Sequence, residues 1–198
     1  MHKKFTGNKL LLASGNPGKI WEIAQLLAPL AIEVISAQEF HLVEPEETGH
    51  TFIENAQIKA KYYGDKTGLP ALADDSGLCV SALGGGPGVY SARWAGDKKD
   101  FTAAMVKVEQ EIGVNPDKSA YFACALCLYW PDDGHFESVE GRIHGNLTFP
   151  PHGDKGFGYD PIFIAHDYTQ TFAEIDPSEK QKISHRANAF AELIKRCF

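Results

Sequence analysis

A short apolar run, Leu10-Leu11-Leu12-Ala13, breaks at Ser14-Gly15-Asn16 and resumes with apolar residues at 20, 23, 24 and 27, the spacing of one helix face. Asn16 suits an N-cap, and Pro17 suits the first helical position, where a missing N–H costs nothing. The stretch predicts a strand, a tight glycine loop and a helix. Gly15 and Gly18 let the backbone approach a phosphate closely, and the free N–H groups at the helix start attract anions. Lys19 adds a full positive charge in the first turn, so the unit reads as a phosphate cradle. An ordinary strand-to-helix connection has the same local pattern. A Walker loop would need Gly at Ala13 and Ser or Thr at Ile20, and a dinucleotide fingerprint needs three spaced glycines. The rest of the chain has to decide.

Length and composition narrow the choice. The 198 residues suit one domain, or one compact unit with two lobes, and 43% hydrophobic residues are enough for a full core. No apolar run approaches the roughly 18 residues of a membrane span, and no charged-then-apolar leader opens the chain, so a cytoplasmic enzyme is expected. A net charge of −7 argues against coating DNA or RNA but leaves room for a small nucleotide, which needs only a local cluster of Lys and Arg. Cys124 and Cys127 have redox or zinc spacing, yet they lie in Tyr121–Trp130, which reads as a strand. Residues three apart on a strand face opposite ways, so buried structural cysteines are expected.

Further along, Glu33-Val34-Ile35 reads as a strand and Glu44 to Gly49 as an acidic connection. Thr51-Phe52-Ile53-Glu54 is a capping box that opens a helix to about Gly64, with Asn55 and Lys59 on one face. Leu69–Ala73 reads as a short strand ending in Asp74-Asp75-Ser76-Gly77. Two consecutive aspartates after an apolar strand need solvent, partners or a metal. A helix is predicted from Lys99 to about Ile112. Ser119–Trp130 reads as a central strand turned by Pro131–Gly134 into a more polar partner, His135–Ile143. Gly156-Phe157-Gly158-Tyr159-Asp160-Pro161 offers aromatics on which a base could stack. Asp176-Pro177 opens a last helix carrying Lys180, His185 and Arg186. A phosphate cradle, paired carboxylates, lysines and an aromatic platform together suit nucleotide phosphate chemistry.

Six motifs in one order make the chain similar to a known family. They are Ser14–Lys19, Glu46-Glu47-Thr48-Gly49 with Phe52–Ala56, Ala73–Gly77, Gly85–Arg93, Gly156–Pro161, and Lys180 with Ser184-His185-Arg186. The sequence resembles the Ham1-like inosine/xanthosine triphosphate pyrophosphatases over nearly its whole length. The resemblance implies an α/β fold with a long central mixed sheet, flanking helices and two lobes around an active-site cleft, and a homodimer. It also implies Mg²⁺-dependent cleavage (Mn²⁺ as the alternative) of ITP, dITP or XTP to the monophosphate and pyrophosphate.

Carried over, Ser14, Gly15, Asn16, Pro17, Gly18 and Lys19 form the triphosphate loop. Asp75 is proton acceptor and metal ligand, Glu46 (or its neighbour Glu47) the second metal position, and Ser76 a substrate contact. Lys59 faces the phosphates, while Phe157, Gly158, Tyr159, Asp160, Lys180, His185 and Arg186 match nucleoside and phosphate contacts. In this reading Asp75 activates water for attack on the α-phosphorus, Lys19 and Lys59 offset charge on the leaving pyrophosphate, Phe157 stacks on the base, and His185 and Arg186 read its oxo group. A Maf-like pyrophosphatase for other nucleotides and a non-catalytic nucleotide sensor are the alternatives.

Overall fold

Leu10 to Ala13 are shielded on both faces, as parallel strands inside a sheet must be. They form β1 (Lys9–Ala13), followed by α1 (Pro17–Leu27) and β2 (Glu33–Ser36) in the computed structural model, which describes residues 2–198. Then come α2 (Phe52–Thr67), β3 (Ala71–Val80), α3 (Ser91–Trp94), α4 (Phe101–Ile112), β4 (Ser119–Trp130) and β5 (His135–Leu147). β6 (Phe163–Ala165), α5 (Pro177–Ile183) and α6 (His185–Cys197) complete the chain. The six strands are ordered β2-β1-β3-β4-β5-β6, with β1 parallel to both β2 and β3 and β5 antiparallel to β6. The sheet is therefore mixed, and the fold is α/β.

The chain divides into two compact units. The first comprises the chain to Asp75, Cys124–Gly141 and Arg186–Phe198; Leu10, Leu12, Ile23, Leu72, Leu126 and Leu193 lie in its core. The second comprises Ser76–Ala123 and Arg142–His185; Leu78, Val108, Phe122, Phe163 and Phe172 lie in its core. Strands β3, β4 and β5 contribute residues to both units.

Local chemistry sets most boundaries. The α2 capping box is complete, with Thr51 Oγ1 accepting from Glu54 N at 3.1 Å and the Glu54 carboxylate accepting from Thr51 N at 3.1 Å. The helix runs one turn beyond Gly64 and stops at Gly68, whose φ of 69° closes the C-terminus. β4 has the expected bounds, and β5 continues past Ile143 to Leu147.

Two expectations are corrected. β3 does not end before the aspartates but passes through Asp74-Asp75-Ser76-Gly77 to Val80. Its polar side chains are tolerated there because distant residues pair with them. The last helix is two helices, since Ser184 is extended (φ −64°, ψ 157°) and separates α5 from α6. Among the described residues no helix is long and apolar enough to cross a membrane.

Candidate active site

The loop between β1 and α1 ends in the predicted cap. Asn16 Oδ1 accepts from Gly18 N at 2.9 Å and Lys19 N at 3.2 Å, while Asn16 N donates to Ser14 Oγ at 3.2 Å; Pro17 takes the first helical position. Those two amides are therefore occupied by the cap, which corrects the expectation that they stand open for an anion. Lys19 carries the charge instead, its Nζ 2.5 Å from Asp74 Oδ1 and its side chain 15% exposed. A Cβ on Gly15 would lie 3.6 Å from a Glu44 carboxylate oxygen, so the acidic connection runs against this loop.

Successive residues on a strand point to opposite faces, and β3 uses that alternation to separate its two aspartates. Asp74 Oδ2 accepts from Arg186 Nε at 2.9 Å and from the Cys124 thiol at 2.9 Å, while Oδ1 meets Lys19. Arg186 also pairs through NH1 with Glu22 on α1. Burial alone would raise the Asp74 pKa, but the Arg186 and Lys19 charges bring it well below the ordinary aspartate range.

Asp75 faces α2. Its Oδ2 accepts from Asn55 Nδ2 at 3.1 Å and its Oδ1 from Lys59 Nζ at 3.3 Å; the same ammonium lies 2.5 Å from Glu47 Oε1. Burial raises the Asp75 carboxyl above the ordinary value, Lys59 and Lys19 offset only part of that, and Glu47 and Asp74 add to the rise. Burial acts against the Lys59 charge, yet Asp75 and Glu47 hold its pKa above the usual lysine value. Fully buried Asn55 also accepts from Gly49 N at 2.8 Å, and a Cβ on Gly49 would come within 2.7 Å of that same oxygen. Only glycine lets the acidic connection close onto α2 here.

Of the two adjacent glutamates, Glu47 is the one brought to this group, whereas Glu46 is exposed to solvent. Glu47 and Asp75 supply hard oxygen donors, Glu47 Oε1 lying 2.5 Å and Asp75 Oδ1 3.3 Å from the same Lys59 ammonium. That donor set fits Mg²⁺, which is commonly held by one or two carboxylates completed by substrate phosphates and water. Among the described residues no three His, Cys, Asp or Glu side chains form a complete metal cage. Cys124 and Cys127 are both buried and free, with Cys124 turned to Asp74, consistent with structural thiols.

The second unit holds the aromatic loop. Asp160 accepts from Lys180 Nζ at 2.6 Å and from Phe157 N at 2.8 Å, and the Lys180 ammonium sits 4.6 Å from the Phe157 ring centre. Gly156 and Gly158 have φ of 72° and 68°, which lets the loop fold back on Asp160. Phe157 is half-buried and borders an open cavity of about 360 Å³ also lined by Lys99, Phe101, Thr102 and Lys155.

Several expected contacts have other tasks. Tyr159 is in the core, donating its hydroxyl to Ser91 O at 2.9 Å and meeting Phe101 edge-on, so its side chain is structural. His185 is buried and stacked on Phe122 at 5.0 Å. Arg186, expected to read a base, is 1% exposed and directed to Asp74 and Glu22. Ser76 is half-buried on β3. Glu22 was not singled out by its sequence context. The available signal was its i,i+3 spacing from Lys19, which puts both on one side of α1.

The sequence model of the Ham1 family matches residues 10–196. A protein of Rhodospirillum centenum named dITP/XTP pyrophosphatase is 56% identical, with 99% of this chain and 98% of that protein covered. Another of that name, from Zymomonas mobilis, is 53% identical over 98% of this chain and 94% of its own length. The solved structure of a HAM1 protein from Coxiella burnetii superposes with a TM-score of 0.86 at 41% identity, covering 96% of this chain and 98% of that one.

Proposed function

The chain belongs to the Ham1 family, and from that premise we propose that it is a dITP/XTP pyrophosphatase, cleaving non-canonical purine nucleoside triphosphates to monophosphate and pyrophosphate. The observation that carries the proposal is the Asp75–Lys59–Glu47 group, in which Asp75 and Lys59 are buried and Glu47 half-buried. A carboxylate with a raised pKa stands beside a fixed ammonium and a second carboxylate. Perturbed acids of this kind are suited to proton transfer.

Asp75 accepts the proton of the attacking water, with Asn55 and Lys59 fixing the two oxygens of its carboxylate. Lys59 and Lys19 offset charge on the departing pyrophosphate. A divalent cation, Mg²⁺ by the donor set, bound at Asp75 and Glu47 would polarise the phosphate oxygens as a Lewis acid. Phe157 supplies the stacking face for the base, and Lys180, held by Asp160 at 2.6 Å, sits 4.6 Å from the centre of the same ring. A site built for one hydrogen-bond pattern rejects its reverse by up to roughly 10⁴-fold. The assembly proposed is a homodimer.

The test is product analysis with dITP, XTP, GTP, UTP and TTP in the presence and absence of Mg²⁺. Pyrophosphate from dITP and XTP, lost on chelation, supports the proposal. Preference for UTP or TTP moves the protein to Maf-like chemistry, and binding without pyrophosphate release makes it a sensor.

A further inference from the structure

Glu22 is 4% exposed and sits on the buried side of α1 beside Ile23. A buried carboxylate there is costly to desolvate, and an apolar side chain would fill the space without that cost. Its partner is Arg186, whose guanidinium divides its donors: NH1 goes to Glu22 and Nε to Asp74 Oδ2. Asp74 Oδ1 meets Lys19 Nζ at 2.5 Å. The four side chains alternate in charge, Glu22, Arg186, Asp74, Lys19. Lys19 at the end of the series is the one with appreciable solvent exposure, 15% of its side chain against 6% for Glu22.

We propose that Glu22 is a positioning residue for the phosphate grip: by holding one edge of Arg186 it fixes Asp74, and through Asp74 it fixes the ammonium of Lys19. The proposal rests on the nucleotide reading above and adds a residue to it. Without the Glu22 charge, the planar guanidinium is free to rotate and present its Nε–Nη2 edge to both Asp74 oxygens, the bidentate geometry it favours. It then competes with Lys19 for Oδ1. The lysine stem is flexible, so a displaced ammonium samples many positions and its pre-organisation for phosphate is lost.

The experiment is a double-mutant cycle between Glu22→Gln and Lys19→Met, read by the inhibition constant of inorganic pyrophosphate and by kcat/KM for dITP. Glu22→Gln alone is expected to weaken both by about tenfold, and to add nothing once Lys19 is Met. A full tenfold loss on top of Lys19→Met, or a single-variant change under twofold, would overturn the relay. Should Glu22→Gln fail to fold, Glu22→Asp, whose shorter arm falls short of Arg186, enters the same cycle with the same expected outcome. NMR of the Lys19 ammonium in ligand-free protein separates this proposal from the function. Its signal broadens in Glu22→Gln if the relay holds, whether or not the wild type releases pyrophosphate, and an unchanged signal defeats the relay alone.

Discussion

Asp74 and Asp75 are neighbours on one strand, 1% and 5% exposed, and the two faces of β3 treat them in opposite ways. On one face Asp74 is met by Arg186, Lys19 and the Cys124 thiol, and its pKa falls. On the other, Asp75 is met by Asn55 and by one lysine that it shares with Glu47, and its pKa rises. The cost of burying the two charges is similar, so the number of cations per carboxylate decides. The first face makes a fixed anion that organises its surroundings. The second keeps an anion against its environment, the condition of an acid–base group.

The largest separation is expected from Asp75→Asn. Pyrophosphate release should fall by roughly 10³-fold, within the range for a lost proton acceptor, while the protein is not destabilised. The sign follows from linkage. The folded state binds the Asp75 proton more readily than the unfolded chain does, so ionised Asp75 detracts from stability at neutral pH. A neutral amide removes that charge, and thermal melting at pH 7 should show an equal or higher midpoint. A clear fall in the midpoint would erase the distinction between the two faces.

Asp74→Asn should do the reverse. It leaves Arg186, buried and charged, without one of its two carboxylates, and breaking such a pair costs about 3 kcal/mol. Urea denaturation measures it, and a loss under about 1 kcal/mol would mean Glu22 alone suffices for Arg186.

The pH dependence sharpens the comparison further. Asp74 has a depressed folded pKa, so its contribution is present above the unfolded aspartate value of about 3.9 and is lost as pH falls through the folded value. Asp75 has a raised one, so its stabilising contribution is present below about 3.9 and is lost as pH rises to the folded value. As the solution is acidified towards the unfolded value of about 3.9, the stability of wild type relative to Asp75→Asn should rise. Relative to Asp74→Asn it should fall, once the pH is below the unfolded value. Neither slope can exceed about 1.4 kcal/mol per pH unit for one group.

Much of this arrangement was legible, and the illegible part has a common cause. The β4 bounds, the α2 capping box and the Asn16 cap depend on neighbours a few residues away and were read from spacing. Which aspartate is locked depends on Arg186, 112 residues beyond Asp74, so nothing near Asp74-Asp75 distinguishes the pair. The same distance hid the continuation of β3, since two aspartates stop a strand unless remote cations meet them. Ser184 breaks the last helix without Pro or Gly, at the point where the chain leaves the second unit for the first. Family resemblance located the motif residues, but it did not separate Arg186 as a partner of Asp74 from Arg186 as a reader of bases.

The smallest effect tests whether cations really decide the matter. Cys124 offers Asp74 a hydrogen bond without charge, and burial together with Asp74 pushes its thiol pKa well above normal, so it remains an S–H donor. Cys124→Ala removes that donor and a little packed volume while Arg186 and Lys19 stay, so a loss of about 1 kcal/mol is expected. Cys124→Ser keeps a donor at the same place and should recover part of the loss. If Cys124→Ala instead destabilises as much as Asp74→Asn, then one neutral hydrogen bond matters as much as two charges. The contrast between the faces of β3 would then lie in hydrogen-bond count: Asp75, with Asn55 and Lys59, would simply be one donor short.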